Sequence, residues 1–300
     1  MILLGILAAS GAAEVGVAGY IAGGFDTSFT ARVDKFTFPS DTKSTLATGL
    51  SSARLYPGGF SNSGVSGYGA GGYTGAVLVS TVDKFAFPGD TRSTLGTGLS
   101  SARNIPTGMS NAGVAGYAAG GSSSSTTDKF AFPSDSRSTL GTGLSNNTQG
   151  AAGMSNSGSA GYAAGGGESP FLSAVDKFAF PGDTRSTLGT GLSNAVVSPA
   201  GMSNYQVAGY VAGGSTASAP ISTVNKFAFP TDSRTTLATG LSSAKNTPGG
   251  FADVSVAGYI AGGSSSTTVN KFSFPSDSRS TLATGLTSNI GGVAGFQDGV

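Results

Sequence analysis

Carboxylates are the side chains of this sequence that could carry out chemistry, because the residues that most often act as bases, nucleophiles or metal ligands are missing. The chain has no histidine and no cysteine, which removes the usual general base, the thiolate nucleophile and sulfur-ligated metal sites. Asp and Glu together number 15, and paired carboxylates can support acid and base catalysis or glycosidic cleavage. The spacing of these carboxylates therefore decides whether an active site is expected.

Most charged residues recur at fixed places along the chain. Of the 31 charged side chains, 25 belong to an Asp/Asn-Lys pair, an Asp-x-Arg/Lys turn or an Arg/Lys position that repeat through the sequence. A catalytic acid is normally singular, so these charges are interpreted as turn and surface pairs that stabilise each repeat. We therefore expect a protein without catalytic, cofactor-binding or metal-binding residues. The six charges outside the pattern are Glu14, Asp26, Arg32, Glu168, Asp253 and Asp298.

Composition and short motifs exclude several other classes of function. The formal net charge is +1, far from the basic surface of a nucleic-acid-binding protein. The apolar stretch from Ile2 to Ala9 is too short to span a membrane. No basic residue precedes it, which makes a cleaved signal peptide the less favoured alternative. One match to the dinucleotide motif, from Gly67 to Gly72, lacks the βαβ context and is incidental.

The elements that position these residues come from a sixfold internal repeat. Each GYxAGG motif is followed by (V/T)(D/N)KFxFPxD, then by (S/T)TL(A/G)TGL, then by a glycine and a large apolar residue. Successive copies are 48, 49, 45, 48 and 49 residues apart. Repeats of roughly 40 to 50 residues are typical of β-propeller blades. The six motif tyrosines are Tyr20, Tyr68, Tyr117, Tyr162, Tyr210 and Tyr259.

Each repeat is predicted to form four short strands. Phe36 and Phe38 alternate onto one face of a strand, and Pro39, which has no N–H to donate, ends it. Leu46 and Leu50 are assigned to one face of the next strand. The glycine-rich run around each motif tyrosine suits a strand packed closely against its neighbours. The sequence therefore predicts an all-β fold, a β-propeller with six four-stranded blades.

The spacing of the repeats indicates a duplication and a closed ring. Every landmark of the first three repeats recurs 142 residues later, which divides residues 17–300 into three-blade halves, 17–158 and 159–300. Val300 falls at the alignment position of Gly16, so the chain stops where the first repeat takes up the pattern. A ring requires such matched ends, because an unmatched blade leaves strand edges exposed. We expect residues 294–300 to form the inner strand of the first blade.

The stretch GYIAGG…VDKFTFPSDTKSTLATGLSSAR resembles a kelch repeat. In that family an apolar strand ends in Gly-Gly, and an aromatic strand, a tryptophan-containing strand and an arginine follow. Leucine replaces the family tryptophan in every copy, and the arginine recurs only at Arg103, with Lys245 as a variant. The resemblance implies kelch-like blades. The residues of the first copy that carry it are Gly23, Gly24, Phe36, Leu46 and Arg54.

The repeats are also similar to those of structural proteins of marine bacteriophages, including phages that infect cyanobacteria. The opening LLGILAAS resembles the first residues of several such virion proteins. This resemblance implies a non-enzymatic structural protein of a phage particle, in a tail fibre or similar appendage, with possible binding of a host glycan or protein. A secreted or cell-surface carbohydrate-binding propeller is the alternative. An enzyme that relies on Asp, Tyr or Ser alone is the least favoured interpretation.

Three sets of residues are candidates for binding or assembly. Residues 1–16 are predicted to form an arm outside the ring, which attaches to other virion proteins or to further copies of the chain through Ile2, Leu3, Leu4, Ile6 and Leu7. The variable linkers after Gly-Gly should emerge on one face, where their apolar residues either contact a ligand or pack over the blades: Phe25, Phe29, Tyr73, Phe171, Leu172, Pro220 and Ile221. A polar position on the inner strand either lines the central channel, where it could hold water or a cation, or, as we favour, caps its own turn: Asn62, Asn111, Asn156, Asn204, Asp253 and Asp298.

Overall fold

The computed structural model describes residues 17–299, and the regular structure in this range is entirely β. Its strands form six antiparallel sheets of four strands each. This confirms the predicted all-β, six-bladed propeller with four-stranded blades. Within the described range there is no helix with the length and apolar character needed to cross a membrane.

Each blade after the first is one continuous segment of chain. Blade 1 contains β1 (Ala18–Ala22), β2 (Val33–Thr37) and β3 (Thr42–Thr45). Blade 2 contains β4 (Gly58–Asn62), β5 (Ser66–Ala70), β6 (Val82–Ala86) and β7 (Thr91–Thr94); blade 3 contains β8 (Thr107–Asn111), β9 (Ala115–Ala119), β10 (Thr127–Ala131) and β11 (Ser136–Thr139). Blade 4 contains β12 (Ala152–Asn156), β13 (Ala160–Ala164), β14 (Val175–Ala179) and β15 (Thr184–Thr187). Blade 5 contains β16 (Ala200–Asn204), β17 (Ala208–Ala212), β18 (Val224–Ala228) and β19 (Ser233–Thr236); blade 6 contains β20 (Gly249–Asp253), β21 (Ala257–Ala261), β22 (Val269–Ser273) and β23 (Ser278–Thr281).

The ring closes through the last strand of the chain. β24 (Ala294–Gln297) pairs antiparallel with β1, so that Phe296 lies opposite Tyr20, and it serves as the inner strand of blade 1. The expectation that the carboxy-terminal segment completes the first blade is thus confirmed for these four residues. The predicted arm, residues 1–16, and Val300 lie outside the described residues.

Aromatic rings fill the space between neighbouring blades. Tyr20 stacks on Phe296 of its own blade and on Phe87 of the next blade, with ring centroids 5.2 Å apart in both cases. Phe85 of blade 2 also stacks on Phe296. All six motif tyrosines are at most 1% exposed. The tyrosines and the first phenylalanine of each FxF motif are therefore part of the core.

The prediction for Leu46 and Leu50 was wrong. β3 ends at Thr45, and both leucines follow it in a loop. The amide of Leu46 still donates to Val33, after which the chain crosses the end of the sheet and the amide of Leu50 donates to Ala31. Leu50 therefore enters the core, 5% exposed, from a loop. A four-residue spacing fits such a crossing segment as well as a strand, so the spacing alone could not distinguish them.

Candidate functional site

The repeated charges join neighbouring blades. The Lys35 ammonium and the Tyr20 hydroxyl of blade 1 both donate to Asp90 of blade 2, over 2.6 and 2.7 Å. Burial, together with this hydrogen bond, raises the pKa of Tyr20 well above its ordinary value. The same contact occurs at every blade junction, and its carboxylates are Asp41, Asp90, Asp135, Asp183, Asp232 and Asp277. These charges were interpreted as turn and surface pairs that stabilise each repeat; in the structure the pairs join one blade to the next.

A second set of charges is buried. Arg54 and Asp83 are both fully buried, and a guanidinium nitrogen lies 2.9 Å from the carboxylate. Arg103 and Asp128 repeat this pair at 2.8 Å. They were predicted to be surface pairs, and burial corrects that interpretation. These carboxylates also accept hydrogen bonds from the preceding loop, as Asp83 does from Ser51, so the pair fixes the loop that leads into each blade.

Other repeats replace this ion pair with different residues. Val196 and Asn225 form an uncharged equivalent, while Ile290 faces Asp34, which pairs with Arg32 over 3.7 Å. Lys245 is 1% exposed opposite the neutral Asn270, and its ammonium has no hydrogen-bond partner among the described residues. Burial lowers the pKa of Lys245. This position can therefore hold different residue types. Where it holds an arginine, at Arg54 and Arg103, an aspartate lies beside the guanidinium.

A ring of glycines narrows the central channel. In each inner strand a glycine precedes the large apolar residue, and a Cβ atom added to it would overlap the backbone carbonyl of the equivalent glycine next door. Close approach of neighbouring backbones at this place requires glycine. We call this set the glycine collar: Gly59, Gly108, Gly153, Gly201, Gly250 and Gly295.

Serine hydroxyls line the channel beside the collar. The amide of Ser61 donates to the Ser110 hydroxyl, that of Ser110 to Ser155, and that of Ser155 to Ser203, over 2.8 to 2.9 Å. The amide of Gln297 donates to Ser61 over 3.0 Å. The channel wall therefore consists of glycine backbone and small hydroxyl groups that are already engaged with one another.

The polar position on the inner strand was predicted either to line the channel or to cap its own turn. The contacts of Asn62 and Asn111 show neither role. Asn62 accepts a hydrogen bond from the amide of Gly113, and Asn111 from the amide of Gly158. Both donors lie in the hairpin turn of the next blade, so the asparagines join blades. They do not cap their own turns. The side chains that line the space around the channel are instead those of four serines and of Phe60, Met202, Phe296 and Gln297.

Asp253 occupies this position in blade 6, where burial raises the pKa of its carboxyl group from 3.8 to about 6. In the unfolded chain the group loses its proton near pH 4, whereas in the folded protein it keeps the proton until about pH 6. The unfolded state therefore binds fewer protons between these values, and the contribution of Asp253 to stability is lost as the pH rises through this window.

We expect Asp253→Asn to remove this dependence, since asparagine stands at the equivalent position of four other blades. The free energy of unfolding of the variant, relative to the parent, should increase by about 2 kcal/mol between pH 4 and pH 7. Urea unfolding at both pH values measures this difference. A difference that stays constant across the window would contradict the assignment.

A closed ring of backbone hydrogen bonds surrounds the channel mouth on the face where the inner strands begin. The amide of Ile105 donates to the carbonyl of Tyr56 and the amide of Tyr56 to that of Gly292, and the pattern continues around all six blades over 2.7 to 3.2 Å. Every residue of this ring has a φ between 48° and 70°, in the left-handed region. We call it the rim: Tyr56, Ile105, Gly150, Ser198, Thr247 and Gly292.

The rim was not found from the sequence, because its residue types differ from blade to blade. Left-handed φ values are rare for β-branched residues, yet Ile105 and Thr247 have them. Strained backbone of this kind persists where the surrounding structure determines it, here through the ring of hydrogen bonds. The space between the rim and the collar is about 110 Å³.

The variable linkers emerge around the rim on this same face, which we call the loop face. Their backbones pair with the loops that lead into the next blades, as in the bridges between Leu55 and Tyr73 and between Val197 and Ser215. The expectation that the linkers share one face is thus confirmed. Their role in binding stays a prediction.

Three of the candidate linker residues lie together on blades 1 and 2. Phe29 packs edge-to-face against Phe25 and against Tyr73, with centroids 5.3 and 5.8 Å apart. Phe25 is 41% exposed, and Val77 and Leu78 beside this cluster are exposed as well. The structure therefore brings together Phe25, Phe29 and Tyr73, which we call the aromatic patch.

The remaining candidates lie on blades 4 and 5 and differ in their surroundings. Ile221 packs against the core between these blades, and Leu172 is half-buried. Phe171, also half-buried, lines an open groove of about 730 Å³ between two linkers. Glu168, Asn194 and Thr216 share this groove with it. Among residues 17–299, no three Asp or Glu side chains are placed to hold a metal ion.

Comparison with protein families found no family that matches this chain. Comparison with curated proteins likewise found no significant relative.

Proposed function

We propose that this chain is a non-enzymatic structural protein of a bacteriophage particle, a subunit of a tail fibre or similar appendage, and that its loop face binds the host surface. The observation that carries the proposal is where the repeats differ. The linkers and the rim, which vary from blade to blade, lie on one face. The repeated charged residues are committed to contacts that hold the ring together.

A rigid ring with a variable face suits recognition, because residues on loops are displayed by a scaffold that does not change when they do. The aromatic patch supports this function. Exposed aromatic and aliphatic side chains that lie together commonly mark interaction sites. Two of its neighbours, Val77 and Leu78, are 60% and 38% exposed. The host ligand on this proposal is a glycan or a protein of the cell surface.

The predicted arm completes the proposal. Residues 1–16 attach the ring to other virion proteins or to further copies of the chain through Ile2, Leu3, Leu4, Ile6 and Leu7. Burial of such side chains in a partner stabilises an assembly by about 25 cal/mol per Å² of apolar surface. The chain is then part of an extracellular particle.

Labelling of purified phage particles with an antibody against the ring tests this proposal. We expect gold label on the tail appendages, and we expect the isolated protein to reduce adsorption of the phage to its host in proportion to its concentration. Deletion of residues 2–9 should abolish incorporation into particles and leave the ring folded. Absence of the chain from purified particles would refute the virion assignment.

A secreted or cell-surface carbohydrate-binding propeller is the second candidate, and the groove beside Phe171 is the observation that favours it. An aromatic ring with a carboxylate and an amide nearby is a suitable environment for a sugar. Sugar binding by a protein that is secreted and found in no particle would select this candidate over the first.

A further inference from the structure

The two halves of the ring carry different side chains between neighbouring linkers of the loop face, although their backbones correspond there. Tyr73 bridges to Leu55 and Leu78, and Ser215, which lies 142 residues later, bridges to Val197 and Pro220 in the same way. Likewise, the amides of Phe25 and of Gly167 donate to the carbonyls of the equivalent residues Gly291 and Gln149. The same backbone positions therefore carry different side chains in the two halves.

In the first half, aromatic side chains occupy the space between the two linkers. Phe29 lies between Phe25 and Tyr73, and its ring also contacts Gly75. In the second half the equivalent of Phe29 is Phe171, while glycine and serine replace the other two rings, at Gly167 and Ser215. The two rings that pack against Phe29 thus have no counterpart beside Phe171, which lines the open groove.

The acidic residue beside this phenylalanine also differs in its state. In the first half Asp26 accepts hydrogen bonds from Ser288 and from the Ser28 amide, and these lower the pKa of its carboxyl group to about 2. Its equivalent, Glu168, is exposed and accepts one hydrogen bond among the described residues, from Gln149 over 3.1 Å. The first carboxylate is thus engaged by its own protein, and the second faces the groove with acceptor capacity left.

We propose that this groove between the linkers of blades 4 and 5 binds a neutral oligosaccharide. The inference rests on the proposed recognition role of the loop face and narrows it to one site. The apolar C–H face of a pyranose packs on the Phe171 ring, whose face carries negative charge. Sugar hydroxyls donate to the Glu168 carboxylate in charge-assisted hydrogen bonds, and the Asn194 amide, which also lines the groove, supplies a further polar contact.

The charge of the groove selects the class of sugar. Its lining contains the Glu168 carboxylate, and no lysine or arginine is among the lining residues. An anionic sugar would meet this carboxylate without a compensating cation, so sialylated, sulfated and uronic acid units are disfavoured. The volume of about 730 Å³ leaves room for more than one ring and lies within the range of about 300 to 1,000 Å³ that is common for ligand clefts.

An array of neutral and anionic oligosaccharides, followed by calorimetric titration of the tightest neutral ligand, tests the proposal. We expect Phe171→Ala and Glu168→Gln each to raise the dissociation constant at least tenfold. Ser215→Tyr should do the same, because it restores the ring that fills the groove of the first half. Val207→Ala, which shortens an exposed side chain in the hairpin turn between β16 and β17, away from the loop face, is the matched control and should bind as the parent does.

The outcomes separate this site from the wider proposal. Binding confined to anionic sugars, absence of any binding, or unchanged affinity in Phe171→Ala and Glu168→Gln would overturn the groove. If these variants then still block phage adsorption as well as the parent protein, the loop face keeps its attachment role through another site. If the parent binds neutral sugars but never blocks adsorption, sugar binding by the groove is supported and the attachment role is refuted. Thermal unfolding verifies that each variant is folded.

Discussion

The substitution Gly108→Ala should lower the free energy of unfolding by about 3 kcal/mol. Gly108 belongs to the glycine collar, and its added Cβ would overlap the carbonyl of Gly59. Both groups are backbone in inner strands that face each other, so no side chain can rotate to relieve the overlap. The two blades must separate at the axis, and this weakens the contacts of the neighbouring collar glycines as well.

Gly96 provides the matched control. An added Cβ meets no atom within 4 Å at this exposed position, and alanine stands there naturally in three repeats, at Ala47, Ala238 and Ala283. Gly96→Ala should therefore leave stability unchanged or raise it by up to about 1 kcal/mol, since alanine restricts the unfolded chain. Chemical denaturation of both variants gives the comparison. Equal stability of the two would show that the collar is not closely packed.

Asp83→Asn should cost about 3 kcal/mol of folding free energy. The substitution keeps the shape of the side chain but leaves the Arg54 guanidinium, which is fully buried, without its carboxylate. A buried charge that loses its partner carries most of its desolvation penalty uncompensated. The midpoint of urea unfolding should fall accordingly, with little change in slope.

An uncharged pair elsewhere in the protein indicates how the lost stability can be recovered. In the loop before blade 5, Val196 stands in the arginine position, and Asn225 stands in place of the aspartate. The double variant Arg54→Val with Asp83→Asn copies this uncharged pair and should recover most of the lost stability. A double-mutant cycle should therefore give a coupling energy of at least about 2 kcal/mol. If the two single losses simply add, the ion pair is not the cause.

The sequence was sufficient to predict the architecture because the repeat is strict. Six copies of one pattern determine the number of blades, and the alternation in FxF indicates which side chains reach the core. The offset at the ends predicted that the carboxy-terminal strand completes blade 1, and the pairing of Phe296 with Tyr20 confirms it. Each of these inferences depends on local spacing, which is visible in a linear pattern.

Contacts between repeats could not be predicted in the same way. Asp90 is the turn residue of its own repeat, and nothing in the spacing indicates that Lys35 and Tyr20 of the preceding blade bind it. The rim cannot be predicted from the sequence, because backbone conformation, rather than residue type, defines it. Of the linker residues, the sequence identified Phe171 but could not distinguish its open surroundings from the packed surroundings of Phe29.

The pairing of β24 with β1 also determines when folding of the ring can be completed during synthesis. Blades 2 to 6 are each drawn from one uninterrupted stretch of chain, so their sheets can form while the ribosome is still at work. Blade 1 joins segments separated by more than 270 residues, so its sheet can be completed only after β24 has been synthesised. Until then the hydrogen-bonding edge of β1 has no inner neighbour, and a nascent chain is open to pairing with the wrong partner.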